Sequence, residues 1–470
     1  MKDRLSRVIS IADFWRYLKE GESNTFPKSE ALLRIKLRRA EEEKEMKILE
    51  HVLLSDGRAA NLIIEGEKIH SIEFLRKDYS RKGRLLALPG LIDPHVHFRV
   101  PGGEHKEDWK TGSLAALHGG VTTVFDMPNT DPALIDFEGI DQKVKLIGKP
   151  LIDFRLFFGA TDSNWWQYPY LADDSRVAGV KVYMGSSTGD LLVSGEKSLR
   201  DIFRACARHS IVAAVHAEDE QMIRWHRKKI GRELTLTDHC EIRSTEVELS
   251  AVRTALKLQE ETRCKVYFCH ISTPEALELI KSAKERRAEV FAEVCPHHLY
   301  FSKQLLLGEE AAFYKMNPPL RTKEQVMKLR KYLCMSGYVD TVASDHAPHT
   351  VEEKQSEKFD NIPSGVPGVQ TLFHLIYDFV HRREMSLDHF INLTSRNASR
   401  IFNLHAKGRI APGADADIVL IDPHEEVLMQ NEDMKSKCGF TPYDGMVTRG
   451  APKIVVARGE IYDLGEPSSL

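Results

Sequence analysis

An alternation constrains this chain more than any other feature. Short apolar runs with strand composition recur at residues 90–97, 122–127, 152–159, 179–184, 211–216, 265–270, 289–295 and 341–345. Helix-like stretches, such as 197–209, 244–261 and 274–287, lie between most of them. Strands that alternate with helices build βαβ units around a parallel sheet, and eight such units close a TIM-type (β/α)8 barrel. The alternative is an open doubly wound sheet, but no Gly-rich phosphate loop follows a strand to open a helix. The expected fold class is therefore α/β, a (β/α)8 barrel.

The flanks differ in texture. Residues 1–45 are densely charged, and Arg34-Ile-Lys-Leu-Arg-Arg-Ala-Glu-Glu-Glu-Lys-Glu-Met reads as a solvated helix with paired charges. From Met46 the pattern changes to short strands separated by turns at Asp56-Gly57 and Glu65-Gly66. Similar texture returns at Asp417-Ile-Val-Leu-Ile-Asp and Lys453-Ile-Val-Val-Ala-Arg-Gly. The expected division is a charged extension at 1–45, a small β domain built from both chain ends (46–88 and 405–470), and a barrel at 89–404.

Of the 470 residues, 42% are hydrophobic and 29% charged, which fits a soluble globular protein. A net charge of −3 gives no sign of general nucleic-acid or membrane-surface binding. No apolar run reaches membrane-spanning length, and the opening Met-Lys-Asp-Arg-Leu-Ser lacks the apolar core of a secretory signal. Seven scattered cysteines without a CxxC pair fit reduced thiols in a cytoplasm. Of these, Cys269 and Cys295 flank candidate site segments and read as small buried hydrophobes.

In a barrel of this type, chemistry sits at the C-terminal ends of the strands. The first strand leaves through His95, His97 and Arg99, at a spacing that puts all three on one face if the backbone stays extended. Two imidazoles on one face can grip one metal ion, and the guanidinium adds a planar fork suited to a carboxylate. Lys181 lies on the fourth strand, His216 ends the fifth, His270 the sixth and Asp345 the eighth, with His349 just beyond. Singly, each has a bland reading: a histidine satisfied by a carbonyl, a lysine reaching solvent, an aspartate cap. Jointly they place metal-competent side chains on four strand ends and a lysine on a fifth. An ammonium beside metal ions is repelled, whereas a neutral amine adds carbon dioxide to become a carbamate whose two oxygens can bridge two metals. A binuclear site that activates water follows from that chemistry.

The motifs Asp93-Pro-His-Val-His-Phe-Arg-Val-Pro-Gly, Asp126-Met-Pro-Asn-Thr, Gly179-Val-Lys-Val-Tyr-Met-Gly-Ser-Ser-Thr-Gly, Asn317-Pro-Pro-Leu-Arg and Ala343-Ser-Asp-His-Ala-Pro-His-Thr occur in that order. From about Met46 onward the chain resembles the amidohydrolase superfamily and, within it, the dihydroorotases. The resemblance implies a metal-binding barrel with a small β domain from both ends. It implies two divalent ions, best zinc: His95, His97 and Asp345 hold one, His216 and His270 the other, and carboxylated Lys181 bridges them. It makes Asp345 the catalytic acid and base. Arg99 and Asn129 hold a substrate carboxylate, and Asn317, His349 and the turn at Gly365 complete the pocket. Residues 185–191 resemble a mobile loop that closes over substrate.

The activity implied is reversible cyclisation of N-carbamoyl-L-aspartate to L-dihydroorotate in pyrimidine biosynthesis, by a cytoplasmic homodimer. Two features depart from the common pattern or vary within it: Val-Pro-Gly follows Arg99 where Glu-Pro-Gly is common, and some dihydroorotases have aspartate in place of the lysine. The alternatives are another cyclic amidase of hydantoinase or allantoinase type, which Arg99 and Asn129 argue against, and a silent scaffold, which six intact ligand positions argue against. Other residues read as structural: His297 and His298 as packing, 218–220 as a helix start, Trp165-Trp166 as a surface or subunit contact.

Overall fold

The computed structural model describes residues 9–10, 34–39, 45–76, 84–187 and 191–465. Its centre is a ring of parallel strands: β1 (Leu91–Val96), β2 (Val121–Asp126), β3 (Asp153–Gly159), β4 (Val177–Tyr183), β5 (Val212–His216), β6 (Lys265–Phe268), β7 (Val290–Val294) and β8 (Thr341–Val342). Each pairs in parallel with the next. A further parallel bridge between Val96 and His346 joins the first and last strands and closes the barrel. All eight runs expected to be strands carry one; six are shorter at one or both ends, the run at 122–127 is shifted by one residue, and the run at 179–184 begins two residues earlier and ends one earlier.

The sequence explains why these segments are strands. They are rich in β-branched and aromatic residues, and β1, β2 and β5 are buried at every position. Burial on both faces is what a parallel strand meets between a filled interior and an outer helical layer. The helices begin at side-chain caps: Asp108 for Trp109–His118, Asp136 for Phe137–Ile147, Asp219 for Glu220–Ile230 and Thr273 for Pro274–Glu285. Thr322 and Gln325 form a reciprocal capping box at the start of Lys323–Leu333.

Inside the ring, Ile92, Phe125, Phe157, Val212 and Tyr267 pack on Phe402, which plugs the N-terminal end. Phe402 meets Phe125 and Tyr267 edge-on, with centroids 4.9 and 5.1 Å away. The barrel is thus filled from below, and the polar side chains at its axis collect at the opposite rim.

A second sheet is built from both ends of the chain. Leu86–Pro89 pairs with Ile418–Leu428, which pairs with Val447–Ala457. Glu45–Leu53 pairs with Ala59–Glu65, and that strand with Lys68–Phe74. Leu49, Leu62, Ile64, Ile418, Leu420 and Val456 form its own core. The chain passes from this sheet into β1 through Gly90. A Cβ there would lie 2.3 Å from Thr122 Oγ1, so only glycine allows the close approach.

One expectation is corrected. Arg34–Arg39 is a strand, antiparallel to Glu45–Leu53, and not part of a helix. Ile35 and Leu37 alternate with charged residues, a period-two pattern, and an available sheet edge selects it over the helical charge pairing. The rest of that charged run before Glu45 lies outside the described residues, as does most of 1–45. No helix among the described residues is long and apolar enough to cross a membrane.

Candidate active site

The C-terminal rim holds a polar cleft of about 370 Å³ lined by His95, His97, Arg99, Asn129, Lys181, Tyr183, His216, His270, Asn317, Asp345 and Gly365, among others. Every site residue expected from the sequence lines it except His349, which stands directly behind Arg99.

On one side, His95 Nε2 and His97 Nε2 each lie 3.3 Å from Asp345 Oδ1. Their other ring nitrogens are committed. His95 Nδ1 donates to Glu293 Oε1 at 2.8 Å and His97 Nδ1 to Asn129 Oδ1 at 2.7 Å. With Nδ1 protonated, each ring in its neutral form presents a bare Nε2 to a carboxylate oxygen. Burial and Lys181 would lower His95, but Glu293 and Asp345 beside it push it up to about 10, so without an ion among these groups that ring itself carries the positive charge. Three electron-pair donors facing one another repel unless a cation sits among them, so this set fits a metal ion, as the grouping of His95, His97 and Asp345 also indicates. Opposite, His216 Nε2 donates to Glu218 Oε2 at 2.8 Å, which leaves Nδ1 bare and 3.0 Å from His270 Nε2. Two imidazole nitrogens face each other here as well, and this pair fits a second ion.

Lys181 lies between the two groups and is fully buried. Its Nζ is 3.1 Å from Cys269 Sγ, and it has no carboxylate partner among the described residues. The Asp345 backbone is held at φ +46°, in the left-handed region. Burial alone would raise its carboxyl, but His95, His97 and His270 around it hold it well below the ordinary carboxylate range. Burial lowers His97 to about 3 and His270 well below 6.5, so both rings stay neutral and able to ligate.

The residue after Asp345 is clamped. His346 Nδ1 accepts from the backbone amides of Gly368 and Val369 at 3.1 and 3.4 Å. Its Nε2 therefore carries the proton and donates to Glu107 Oε2 at 3.2 Å. Glu107 also accepts from Thr111 and Ser436. The His346 carbonyl in turn accepts from the His97 amide at 2.8 Å.

The other corner of the cleft belongs to Arg99. β1 ends at Val96, and Arg99 sits at φ +64°. A turn, and not continued strand alternation, carries it into the cleft. The turn is anchored by Asp126, whose Oδ1 accepts from the Phe98 amide at 2.8 Å and whose Oδ2 pairs with buried Lys143 at 2.6 Å. Arg99 Nε donates to the Pro348 carbonyl at 3.2 Å, and Nη2 lies 3.2 Å from His349 Nε2. The guanidinium is buried, with no carboxylate ion-pair partner among the described residues. Gly365 completes this wall at φ +142°, where a Cβ would lie 2.4 Å from the Ala347 carbonyl oxygen. Of the loop at 185–191, residues 188–190 lie outside the described residues; Ser187 reaches the cleft.

Sequence reasoning missed four residues. Glu293, Glu218 and Tyr183 are buried polar groups in or just after strands. Glu293 had a signal: a carboxylate at the centre of the apolar run at 289–295 needs a polar partner. Glu218 was read only as part of a helix start. Asp219 is indeed the cap, whereas Glu218 turns inward to His216 and Arg243. Cys269 packs among apolar residues but also faces Lys181, and with His95 and Glu293 it forms another close group of ligating atoms. His298 bonds the Pro318 carbonyl at 3.0 Å, consistent with packing, and Trp165 and Trp166 are exposed.

Residues 86–461 match the amidohydrolase family. The dihydroorotase of Halobacterium salinarum is 35% identical over 408 residues, covering 86% of this chain and 93% of the relative. The dihydroorotase of Methanosarcina acetivorans is 36% identical over 421 residues, covering 86% and 88%. The chain belongs to the amidohydrolase family, among the dihydroorotases. This amidohydrolase also shares its architecture with solved hydantoinases. An L-hydantoinase (dihydropyrimidinase) from Arthrobacter aurescens superposes with a TM-score of 0.82 at 26% identity, covering 88% of this chain and 95% of the neighbour. A dihydropyrimidinase from Brevibacillus agri gives 0.81 at 25% identity, covering 88% and 94%. The barrel is thus common to enzymes that open different rings, and the side chains at the rim must distinguish them.

Proposed function

We propose that this amidohydrolase interconverts N-carbamoyl-L-aspartate and L-dihydroorotate, the ring-closing step of pyrimidine synthesis. The observation that carries the choice of substrate is Arg99, a buried guanidinium in the cleft that makes no ion pair with an acid among the described residues. A buried charge is costly unless paired, and a carboxylated ring supplies the partner that a hydantoin lacks. Asn129, Asn317, His349 and the Gly365 turn surround that substrate.

Two divalent ions, of which zinc suits the nitrogen and oxygen donors best, would be held by His95, His97 and Asp345 and by His216 and His270, with Lys181 as a bridging carbamate. Ions held there would supply Lewis-acid polarisation of the scissile carbonyl and would bring the pKa of water to near neutrality. Asp345 handles the proton. In the hydrolytic direction water adds to the ring amide carbonyl and its proton passes to Asp345. The carboxyl then gives that proton to the leaving ring nitrogen as the carbon–nitrogen bond breaks. Ring closure runs the same transfers in reverse. A carboxyl held well below its ordinary range accepts a proton only transiently, so Asp345 is ready for the next turn. Arg99 orients the substrate by bidentate pairing. We further propose a cytoplasmic homodimer, in line with the reduced cysteines and the family resemblance.

The test is metal content and turnover of dihydroorotate, hydantoin and allantoin on one purified sample. Close to two metal equivalents with turnover of dihydroorotate alone is expected. Preference for hydantoin or allantoin would overturn the substrate assignment. Far less metal with no turnover would leave a scaffold.

A further inference from the structure

Three buried polar atoms on residues lining the cleft have no hydrogen-bond partner among the described residues: His270 Nδ1, Asn317 Oδ1 and the Tyr183 hydroxyl. The first belongs to a proposed ligand and the second to the proposed substrate pocket. Tyr183 has no assigned role.

Its position follows from the strand. Tyr183 is two residues after Lys181 on β4, so both side chains leave the same face, toward the barrel axis. β4 pairs with β5 in a register that sets Tyr183 beside His216. The phenol ring lies 6.0 Å from the His216 ring, and Lys181 Nζ is 5.2 Å from its centroid. The ring is therefore wedged among the proposed ligands. Tyr168 provides a contrast: its hydroxyl is also buried and unpartnered, but it sits within the apolar core away from the cleft. Among the described residues, only the Tyr183 hydroxyl combines absent partners with a place in the cleft wall.

We propose that the Tyr183 hydroxyl donates a hydrogen bond to an oxygen of the bound substrate, a ring carbonyl or the carboxylate, and so contributes to substrate recognition. Leaving a buried hydroxyl unpaired is costly, and a ligand oxygen removes that cost in the complex. A phenol with the ordinary tyrosine pKa of about 10 is protonated near neutral pH, so the group can serve as a donor. Arg99 and Asp345 lie within electrostatic range of it. This inference rests on the dihydroorotase reading above.

The test is Tyr183→Phe, which keeps the ring and its packing on His216 and Lys181. Steady-state kinetics with dihydroorotate, metal analysis and thermal unfolding are run on both proteins. The expected result is a fall in kcat/KM of about fivefold to a hundredfold, the range of a hydrogen bond to a neutral or a charged acceptor. Metal content should not change, and Tm should be equal or higher. Inhibition constants for dihydroorotate and for 5,6-dihydrouracil, the same ring without the carboxylate, locate the acceptor. Weakening of both ligands points to a ring oxygen. Weakening of dihydroorotate alone points to the carboxylate.

Unchanged kcat/KM and unchanged inhibition overturn the inference while the wild-type turnover leaves the dihydroorotase reading standing. A loss explained by lower metal content or lower Tm overturns it as well, because the role would then be structural. Absence of dihydroorotate turnover in the wild type removes the functional reading and this inference with it.

Discussion

The two sides of the cleft are finished to different degrees. On the imidazole side, His95, His97 and His216 are each fixed through the ring nitrogen that faces away from the centre, by Glu293, Asn129 and Glu218. Those partners set the tautomers and aim bare nitrogens inward, so the protein alone orients this side for cations. On the Arg99 side the guanidinium touches a carbonyl and a histidine, with no acid paired to it among the described residues. That side is complete only with an anionic ligand. On the proposed function the cleft divides its work: one wall is preorganised for ions, and the other would gain its charge balance from the substrate.

The sharpest way to break this division is to alter the group between the two walls. Asp345→Asn keeps the size of the side chain but removes both a charge and a proton acceptor. Turnover of dihydroorotate should fall by at least about a thousandfold, measured at saturating substrate. Near-normal turnover would mean that the proton leaves by another group. Next comes the incomplete wall. Arg99→Ala should lower kcat/KM by about a hundredfold or more, through loss of charge-assisted bonds, while metal analysis still finds both ions. Loss of metal in that variant would show that the two walls are not separate. Third, Glu293→Gln should weaken metal retention by about ten- to a hundredfold in a chelator titration, with little change in KM once metal is restored. A rise in KM instead would erase the distinction from the other side.

The same division explains what was legible in the sequence. The convergence of the proposed ligands was readable because barrel geometry fixes where a strand end points, so His95, His216, His270 and Asp345 meet in one cleft whatever the loops do. Arg99 was placed correctly but for the wrong reason. Strand alternation stops at Val96, and the pocket position comes from a turn at φ +64° held by Asp126, which no periodicity rule encodes. Glu293 and Glu218 were not recovered, because they act through partners far along the chain or in a turn that looked like a cap. Arg34–Arg39 shows the same limit in the fold. Its charges suit an isolated helix, and only the presence of a sheet edge makes it a strand.

The smallest effect tests how the imidazole wall is tied to the end-built sheet. Glu107 is buried between His346, Thr111 and Ser436, the last from the segment between Ile418–Leu428 and Val447–Ala457. Burial alone would raise its carboxyl, but the hydrogen bonds from these three partners hold it below the ordinary value of 4.5. A carboxyl depressed in the folded state stabilises the fold above its unfolded pKa, and that contribution fades as pH falls through the folded value. Glu107→Gln keeps an acceptor for His346 but removes the charge. Unfolding free energies from denaturant titrations of metal-free wild type and variant should differ by about 1–2 kcal/mol near pH 7, with the wild type more stable. The gap should narrow as pH falls below the ordinary value of 4.5 and through the depressed folded value, where the wild-type carboxyl also becomes neutral. Because His346 is bonded to Asp345 through the chain and to His97 through its carbonyl, the variant should also lose metal faster from the His95–His97–Asp345 side. A gap that stays constant with pH would mean that the Glu107 charge does not contribute, and that the clamp on Asp345 is made by the Gly368 and Val369 amides alone.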